Sequence, residues 1–246
     1  MENNLVAILK EGANAINVNL DEKELNALNQ YAELLRKWNE VMNLTNILDD
    51  EGIAMRHFVD SLTIVPYVEA EQKLKGNRGL TIVDVGTGAG FPGIPLKIKH
   101  TELMVTLMDS LKKRLNFLDT VCTEVGLKGI RTVHSRAEDA GHDATHREKY
   151  DIATARAVAA LPVLCEYCLP FVKVGGAFIA MKGHLDEELE ESAKAIAVLG
   201  GEIEKTEKFT LPGTDMTRTI VVIRKVKHTP KNYPRQAGKP SKSPIA

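Results

Sequence analysis

The chain has 246 residues, 43% of them hydrophobic and 26% charged, with 32 Lys and Arg against 33 Asp and Glu. That length suits one large domain, or one domain with an added helical segment, and the composition excludes wholesale disorder, a collagen-like repeat and a disulfide scaffold. No uncharged apolar run approaches the ~18 residues a membrane helix needs.

The start Met1-Glu2-Asn3-Asn4 lacks the basic and apolar regions of a signal peptide, and the three cysteines, Cys122, Cys165 and Cys168, point to a reducing cytoplasm. Asp21 is placed to cap a helix, with Glu24 completing a capping box. Leu25, Leu28, Ala32, Leu35, Trp38 and Met42 then recur at spacings of three and four, which makes one apolar helical face. A second helix is expected from Asp49-Asp50 to about Val65, stopped by Pro66. Glycines and charges at Lys75-Gly76-Asn77-Arg78-Gly79 mark the junction between this helical cap and the rest of the chain.

Short β-branched runs then alternate with helical patterns. Strands are expected at 80–85, 103–108, 130–134, 150–154 and 176–181, and helices at 92–99, 111–125, 158–169 and 186–199. This alternation predicts an α/β fold with a mostly parallel sheet covered on both faces. Residues 203–211 and 218–224, joined through Pro212-Gly213-Thr214-Asp215, predict an antiparallel hairpin at the C-terminal edge. The polar stretch 140–149 reads as a loop or one irregular turn. The expected organisation is a helical cap (1–75), a sheet domain (76–226) and a basic, proline-rich tail (227–246).

The net charge of -1 conceals an asymmetry. From Arg224 onward there are seven basic residues (Arg224, Lys225, Lys227, Lys231, Arg235, Lys239 and Lys242) and no acid, so the rest of the chain carries a net of -8. With Pro230, Pro234, Pro240 and Pro244 among them, these residues predict an extended segment that is either solvated or ordered on a phosphate backbone.

The strongest local signal is Thr81-Ile82-Val83-Asp84-Val85-Gly86-Thr87-Gly88-Ala89-Gly90-Phe91-Pro92-Gly93, which leaves an apolar strand through glycines and enters a helix. Glycines allow a sharp turn and let a ligand lie against bare main chain, and Pro92 suits a first helical turn. In an open parallel sheet such a loop floors a cofactor site at the carboxyl ends of the strands. Gly88-x-Gly90-x-x-Gly93 matches the dinucleotide fingerprint. Asp84, at the strand tip, opposes that reading, because a carboxylate is a poor neighbour for a pyrophosphate. It suits S-adenosylmethionine, which carries an ammonium and a sulfonium and no phosphate, and Asp84-x-Gly86-x-Gly88-x-Gly90 is similar to the first motif of Rossmann-like methyltransferases. Asp109, at the end of the next strand, is placed to accept hydrogen bonds from ribose hydroxyls. The third strand leads into Ser135-Arg136-Ala137-Glu138-Asp139, where the main chain at Ala137 and the Glu138 carboxylate could read an adenine edge.

Absent chemistry narrows the acceptor. The fourth strand continues Ala153-Thr154-Ala155-Arg156-Ala157, without the Asn/Asp-Pro-Pro-aromatic loop used on exocyclic base amines. Cys165 and Cys168 sit mid-helix among Leu161, Val163, Leu164 and Leu169, which is a packed core position, and one Cys-x-x-Cys pair does not make a zinc site. A ring nitrogen such as guanine N7 attacks the sulfonium methyl with its own lone pair, so positioning and electrostatics suffice and no general base is needed. Arg56, Lys112-Lys113-Arg114, Arg136, Arg156 and Lys182, with the tail, outline a phosphate path. Arg156 and Lys182 are the positioning candidates. His57, Asp60 and Ser61 share a helical turn, but no strand-to-helix elbow carries the serine, so they read as a hydrogen-bonded helix or a docking surface and not as a hydrolytic triad.

Arg56-His57-Phe58-Val59-Asp60-Ser61-Leu62, the glycine loop, Lys113-Arg114-Leu115-Asn116-Phe117-Leu118, Arg136-Ala137-Glu138, Ala155-Arg156-Ala157 and the ending Pro234-Arg235 … Lys239-Pro240 … Lys242-Ser243-Pro244 together resemble the bacterial glucose-inhibited division protein B (RsmG) family. The likeness runs from the second helix nearly to the C-terminus, with several motifs in order. It implies a Rossmann-like methyltransferase that moves methyl from S-adenosylmethionine to guanine N7 of nucleotide 527 in 16S ribosomal RNA. By that resemblance Gly86, Phe91, Ala137, Glu138 and Arg156 contact the cofactor, joined by Gly88 and Asp109 from the motif reading, while Arg56, Arg235, Lys239 and Lys242 face RNA. A cytoplasmic monomer acting on the small ribosomal subunit, without metal or membrane, is the expectation. A nicotinamide-dependent oxidoreductase and a non-catalytic RNA-binding factor are the alternatives.

Overall fold

Two helices lead the chain, α1 (Asn4–Ala15) and α2 (Glu22–Asn39). In the computed structural model, which describes residues 4–156, 159–185 and 188–245, Asp21 and Glu24 form the expected capping box at the start of α2. α1 lies within the expected helical region but no motif marks it; Leu5, Leu9, Gly12 and Ala13 give it one buried face. Gly12 lies so close to the next helical stretch that a Cβ there would fall 2.6 Å from Met55 Sδ.

That next stretch is α3 (Asp50–Gly52), a π-helical segment Ile53–Val59 and α4 (Asp60–Leu62), running without a break. Pro66 does not end it. The helix stops at Leu62, and Pro66 sits in the first turn of a new helix, α5 (Val65–Leu74), where its missing N–H leaves no intrahelical acceptor unpaired.

The remainder alternates: β1 (Thr81–Val85), α6 (Gly93–Lys99), β2 (Met104–Asp109), α7 (Lys112–Glu124), β3 (Ile130–His134), α8 (Ala137–Ala140), β4 (Tyr150–Arg156), α9 (Leu161–Cys168), β5 (Val172–Lys182), α10 (Glu188–Val198), β6 (Gly201–Thr210), β7 (Thr217–Lys225) and α11 (Lys239–Lys242). Pro92 precedes α6 as its N-cap, one position earlier than expected. Ala157 and the expected helix starts at 158 and 186 lie outside the described residues.

The seven strands form one sheet in the order β3-β2-β1-β4-β5-β7-β6. All pairings from β3 to β5 are parallel, and β7 is antiparallel to both β5 and β6. The order reverses between β1 and β4, so their carboxyl ends flank the topological switch where open α/β sheets hold ligands. Side chains alternate across the sheet. Ile82, Val105, Leu107, Ile152 and Ile179 join the N-terminal helices in one core. Val83, Val85, Ala153, Phe178 and Val221 join α9 and α10 in the other, with Cys165 and Cys168 inside it.

The C-terminal segment departs from the extended tail that its composition predicts. Thr229 is buried, Tyr233–Pro234 packs on the loop 141–147, and Ile245 reaches the second core. Its charge is also less available than the sequence suggests. Arg224 pairs with Glu71 (2.5 Å) and Glu204 (2.6 Å), and Arg235 with Glu166 (2.6 Å). Lys225 is fully buried against Leu169 O (2.7 Å) and Glu148 (3.3 Å). Lys227, Lys231, Lys239 and Lys242 remain exposed.

Candidate active site at the strand-order switch

A cavity of about 670 Å³ opens at the carboxyl ends of β1, β2 and β3. Its floor is the main chain from Val85 to Ala89. Gly86, Gly88 and Gly90 all have positive φ, a conformation L side chains rarely take. The loop is pinned to β2, with Gly86 N and Thr87 N donating to Met108 O at 2.9 and 3.0 Å. It is also pinned to α2, because the Tyr31 hydroxyl donates to Ala89 O. A Cβ on Gly88 would meet nothing closer than Gly86 O at 3.9 Å, so it would stand in open space in the cavity floor. A Cβ on Gly90 would lie 2.6 Å from the Tyr31 hydroxyl and 2.8 Å from Ile94 Cδ1.

Asp84 does not form the acidic entrance that its place in the sequence suggests. Pleat alternation turns it to the Ile82 side of the sheet, where it is fully buried under the loop. Its Oδ2 accepts hydrogen bonds from Thr87 Oγ1 (2.7 Å) and Gly93 N (2.9 Å), which caps the first turn of α6. Among the described residues Oδ1 has no partner. Burial pushes this carboxyl up to about 6, against the pull of those two hydrogen bonds.

Asp109 is held in the cavity wall, its Oδ2 accepting from Gly88 N (3.0 Å) and its Oδ1 from Leu111 N (2.8 Å). Oδ2 also accepts from Arg114 Nη1 at 3.4 Å, so of the carboxylate's roughly four lone-pair sites the free capacity lies on Oδ1. Across the cavity Ala137 and Glu138 begin α8, and Glu138 Oε1 accepts from Gly238 N at 3.0 Å.

The remaining wall is aromatic and cationic. Phe91 stacks on His57 with centroids 4.6 Å apart and on Tyr31 at 5.5 Å, and the Arg156 guanidinium lies 4.9 Å over its ring. Arg156 Nη1 reaches Arg56 O (3.2 Å), His57 O (3.3 Å) and Asp60 Oδ2 (3.1 Å). The π-helical register interrupts the ordinary i to i−4 ladder here, and the guanidinium adds a donor at two of its carbonyls. Asp60 bridges Arg156 and Arg218 (2.8 Å). His57 Nε2 faces Thr45 Oγ1 at 3.0 Å, and the Ser61 hydroxyl donates to His57 O at 2.5 Å. His57, Asp60 and Ser61 thus form no relay. Burial, and then the Arg156 charge, pull His57 down to about 4 and leave its ring neutral at pH 7.

Gly86, Gly88, Phe91, Asp109, Ala137, Glu138 and Arg156 all line this one cavity. Lys182 is directed elsewhere. Its Nζ donates to Ala159 O (2.8 Å) and pairs with Glu188 (2.9 Å), whose carboxylate also caps Leu161 N. Arg56 is exposed beside a second concavity lined with Asp49, Glu51 and Asp215. Arg235, expected to face RNA, is tied to Glu166 through its guanidinium. Leu44, Thr45 and Tyr167 also line the cavity, although no sequence motif marks them. The position in a linker between two helices is the available signal for Thr45. For Tyr167 it is the one aromatic on a helix that is apolar apart from Glu166.

The cavity fits S-adenosylmethionine better than a dinucleotide. In a dinucleotide site the first helix offers its N-terminal N–H groups to the pyrophosphate. Here Gly93 N is already taken by the buried Asp84 carboxylate. The cavity volume and two wall carboxylates suit a nucleoside with hydroxyl and amine donors.

A family model described as GidB, rRNA small subunit methyltransferase G, matches residues 24–219. A curated ribosomal RNA small subunit methyltransferase G of Acetivibrio thermocellus is 53% identical over 238 residues, covering 97% of this chain and 96% of that one. One of Alkaliphilus oremlandii is 51% identical over 241 residues, covering 97% and 98%. Among solved structures, a 16S rRNA (adenine(1408)-N(1))-methyltransferase of Catenulisporales acidiphilia crystallised with SAM superimposes with a TM-score of 0.51 at 16% identity. It covers 66% of this chain and 92% of that one, a likeness of fold. By sequence over nearly its whole length, the chain belongs to the rRNA small subunit methyltransferase G family.

Proposed function

We propose that the protein methylates guanine N7 of nucleotide 527 in 16S ribosomal RNA, using S-adenosylmethionine. The observation that carries this reading is the single cavity at the strand switch, where glycine main chain, Asp109, Glu138 and the Phe91–Arg156 pair converge behind a helix N-terminus closed to phosphate. When bound, S-adenosylmethionine supplies an electrophilic methyl, and the free lone pair of guanine N7 takes it without a proton having to leave.

The residues match that requirement. Gly86 and Gly88 give close approach, Asp109 and Glu138 would hold hydroxyl and amine donors, and Phe91 forms an apolar wall. Arg156, fixed by Asp60 and two carbonyls, sets the rigid electrostatic surroundings. The neutral His57 serves as a stacked wall and needs no role as a base. The exposed Lys227, Lys231, Lys239 and Lys242, with Arg56, supply the phosphate contacts. Among the described residues no group of three or more His, Cys, Asp or Glu is placed to hold a metal, and no helix is long and apolar enough to cross a membrane. We place the enzyme in the cytoplasm as a monomer on the small subunit.

The test is incubation of the protein with methyl-labelled S-adenosylmethionine and small subunits or 16S RNA, followed by reduction and aniline scission. Cleavage at a single guanine is expected. Label without cleavage overturns the N7 assignment, and absence of label overturns the enzymatic one.

A further inference from the structure

The C-terminal segment touches the cavity wall at two points. Gly238 N donates to Glu138 Oε1 at 3.0 Å, and Ser241 Oγ lies 2.9 Å from the Tyr167 hydroxyl. Glu138 and Tyr167 both line the cavity. Gly238 has φ +80, which lets the chain turn so that its N–H points at Glu138.

The segment reaches this place through two anchors. Arg147 donates to the carbonyls of Thr229 (2.7 Å) and Tyr233 (2.8 Å), and His142 Nε2 meets Pro234 O at 2.6 Å. Arg235 then closes on Glu166, with its backbone N at 2.7 Å, Nε at 2.9 Å and Nη2 at 2.6 Å from the two carboxylate oxygens. Glu166 is fully buried, so its charge has a strong preference for a bidentate partner. It also precedes Tyr167 on α9, so the residue that holds the segment adjoins one that forms the cavity wall.

We propose that residues 229–245 are a positioning strap for the cofactor, in which the Arg235–Glu166 clamp seats Gly238 and Ser241 against Glu138 and Tyr167 and thereby sets cofactor affinity. Arg235 is then a positioning residue and not an RNA contact. Lys239 and Lys242, exposed on α11 directly beyond Gly238, are left to meet phosphate. Phosphate binding outside the strap and cofactor binding inside it become thermodynamically linked, since each favours the docked segment and linkage is reciprocal. The inference rests on the cavity being the S-adenosylmethionine site.

The test uses the full chain and S-adenosylhomocysteine as the probe. By titration calorimetry the probe's Kd weakens about tenfold in Arg235→Ala, the scale of ordinary site coupling, and Arg235→Lys, which keeps the charge but not the fork, recovers part of the loss. The KM for S-adenosylmethionine rises in step with the Kd. In the wild-type protein, amide exchange across residues 235–243 slows when the probe is added, a reading that does not depend on any variant folding. Unchanged probe affinity in a folded Arg235→Ala protein, a rise in the KM for RNA alone, or exchange at 235–243 indifferent to the probe overturns the strap. A wild-type protein that does not bind the probe at all overturns the cofactor reading beneath it as well.

Discussion

Two buried groups at the site give the ligand-free protein opposing responses to acid. Asp84 is held near 6 in the folded protein against 3.8 ordinarily, so the native state binds the extra proton between those values. Its contribution therefore makes the protein less stable as pH rises from 4 to 6. His57 is held near 4 against 6.5 ordinarily, so there the unfolded state binds the extra proton, and stability is lost as pH falls through the same window. At 1.36 kcal/mol per pKa unit, each effect is worth about 3 kcal/mol, and between pH 4 and 6 they nearly cancel.

Single variants should uncover each one. Asp84→Asn removes the rising penalty and leaves the His57 response, so relative to wild type it loses about 3 kcal/mol more between pH 7 and pH 4. His57→Gln leaves the Asp84 response and gains a similar amount over that interval. Urea midpoints at pH 7, 5.5 and 4 read the two slopes, and the difference from wild type cancels the titration of all other groups. If both variants follow the wild-type slope, desolvation does not govern the titration of Asp84 and His57.

Gly88 and Gly90 of the loop should fail differently when changed to alanine. Gly88→Ala costs only the left-handed strain, about 1–2 kcal/mol, and its methyl obstructs the cavity floor, so S-adenosylhomocysteine affinity falls while the melting temperature moves only a few degrees. Gly90→Ala adds a collision with Tyr31, Ile94 and Leu118 to the same strain, about 3–5 kcal/mol in all, and appears as a fall in melting temperature on the order of 10 °C. Arg156→Ala removes a donor from Arg56 O and His57 O and leaves Asp60 to Arg218 alone, a loss of about 3 kcal/mol in urea unfolding together with slower single-turnover methylation. Unchanged single-turnover rates would remove Arg156 from the reaction. The double variant Lys239→Ala/Lys242→Ala weakens RNA binding and flattens its logarithmic salt dependence by about 1–2 units, measured by filter binding from 50 to 200 mM salt.

The sheet is legible in the sequence because local pattern and global fold agree there. β-branched runs, the glycine loop after β1, and acids at the end of β2 and just after β3 each mark a strand's carboxyl end, and the parallel topology brings those ends together. Distance along the chain from Gly86 suggests that Asp84 faces the pocket, but pleat parity decides: sharing the parity of Ile82, it faces the helices and not the ligand. Pro66 looks like a terminator although proline serves equally well at a helix start, and α1 escapes notice despite its i, i+4, i+7, i+8 apolar face. The π-helical register has no signature in Ile53–Val59 itself; it is held partly by Arg156, about a hundred residues away. The tail misleads for the same reason. Composition reports charge, and the acids that neutralise Arg224, Lys225 and Arg235 lie far off in sequence at Glu71, Glu148 and Glu166.

The shape of the glycine loop is determined from outside the loop, and this bears on what the helical cap contributes. Main-chain bonds to Met108 fix only its β1 end. Its middle is held by Asp109 of β2 at Gly88 N and by Tyr31 of α2 at Ala89 O, and its far end by Asp84 at Gly93 N and by the packing of Phe91 among Tyr31, Phe58 and His57. Tyr31, Phe58 and His57 come from helices that precede the sheet. Glycines at positive φ have the largest conformational freedom to lose on folding, so a loop containing three of them is ordered only where its surroundings over-determine it. The N-terminal helices therefore share in forming the cavity floor. The sheet places the loop at the switch point and ties Gly88 and Gly93, and the helices complete the conformation in which its bare main chain faces the cavity.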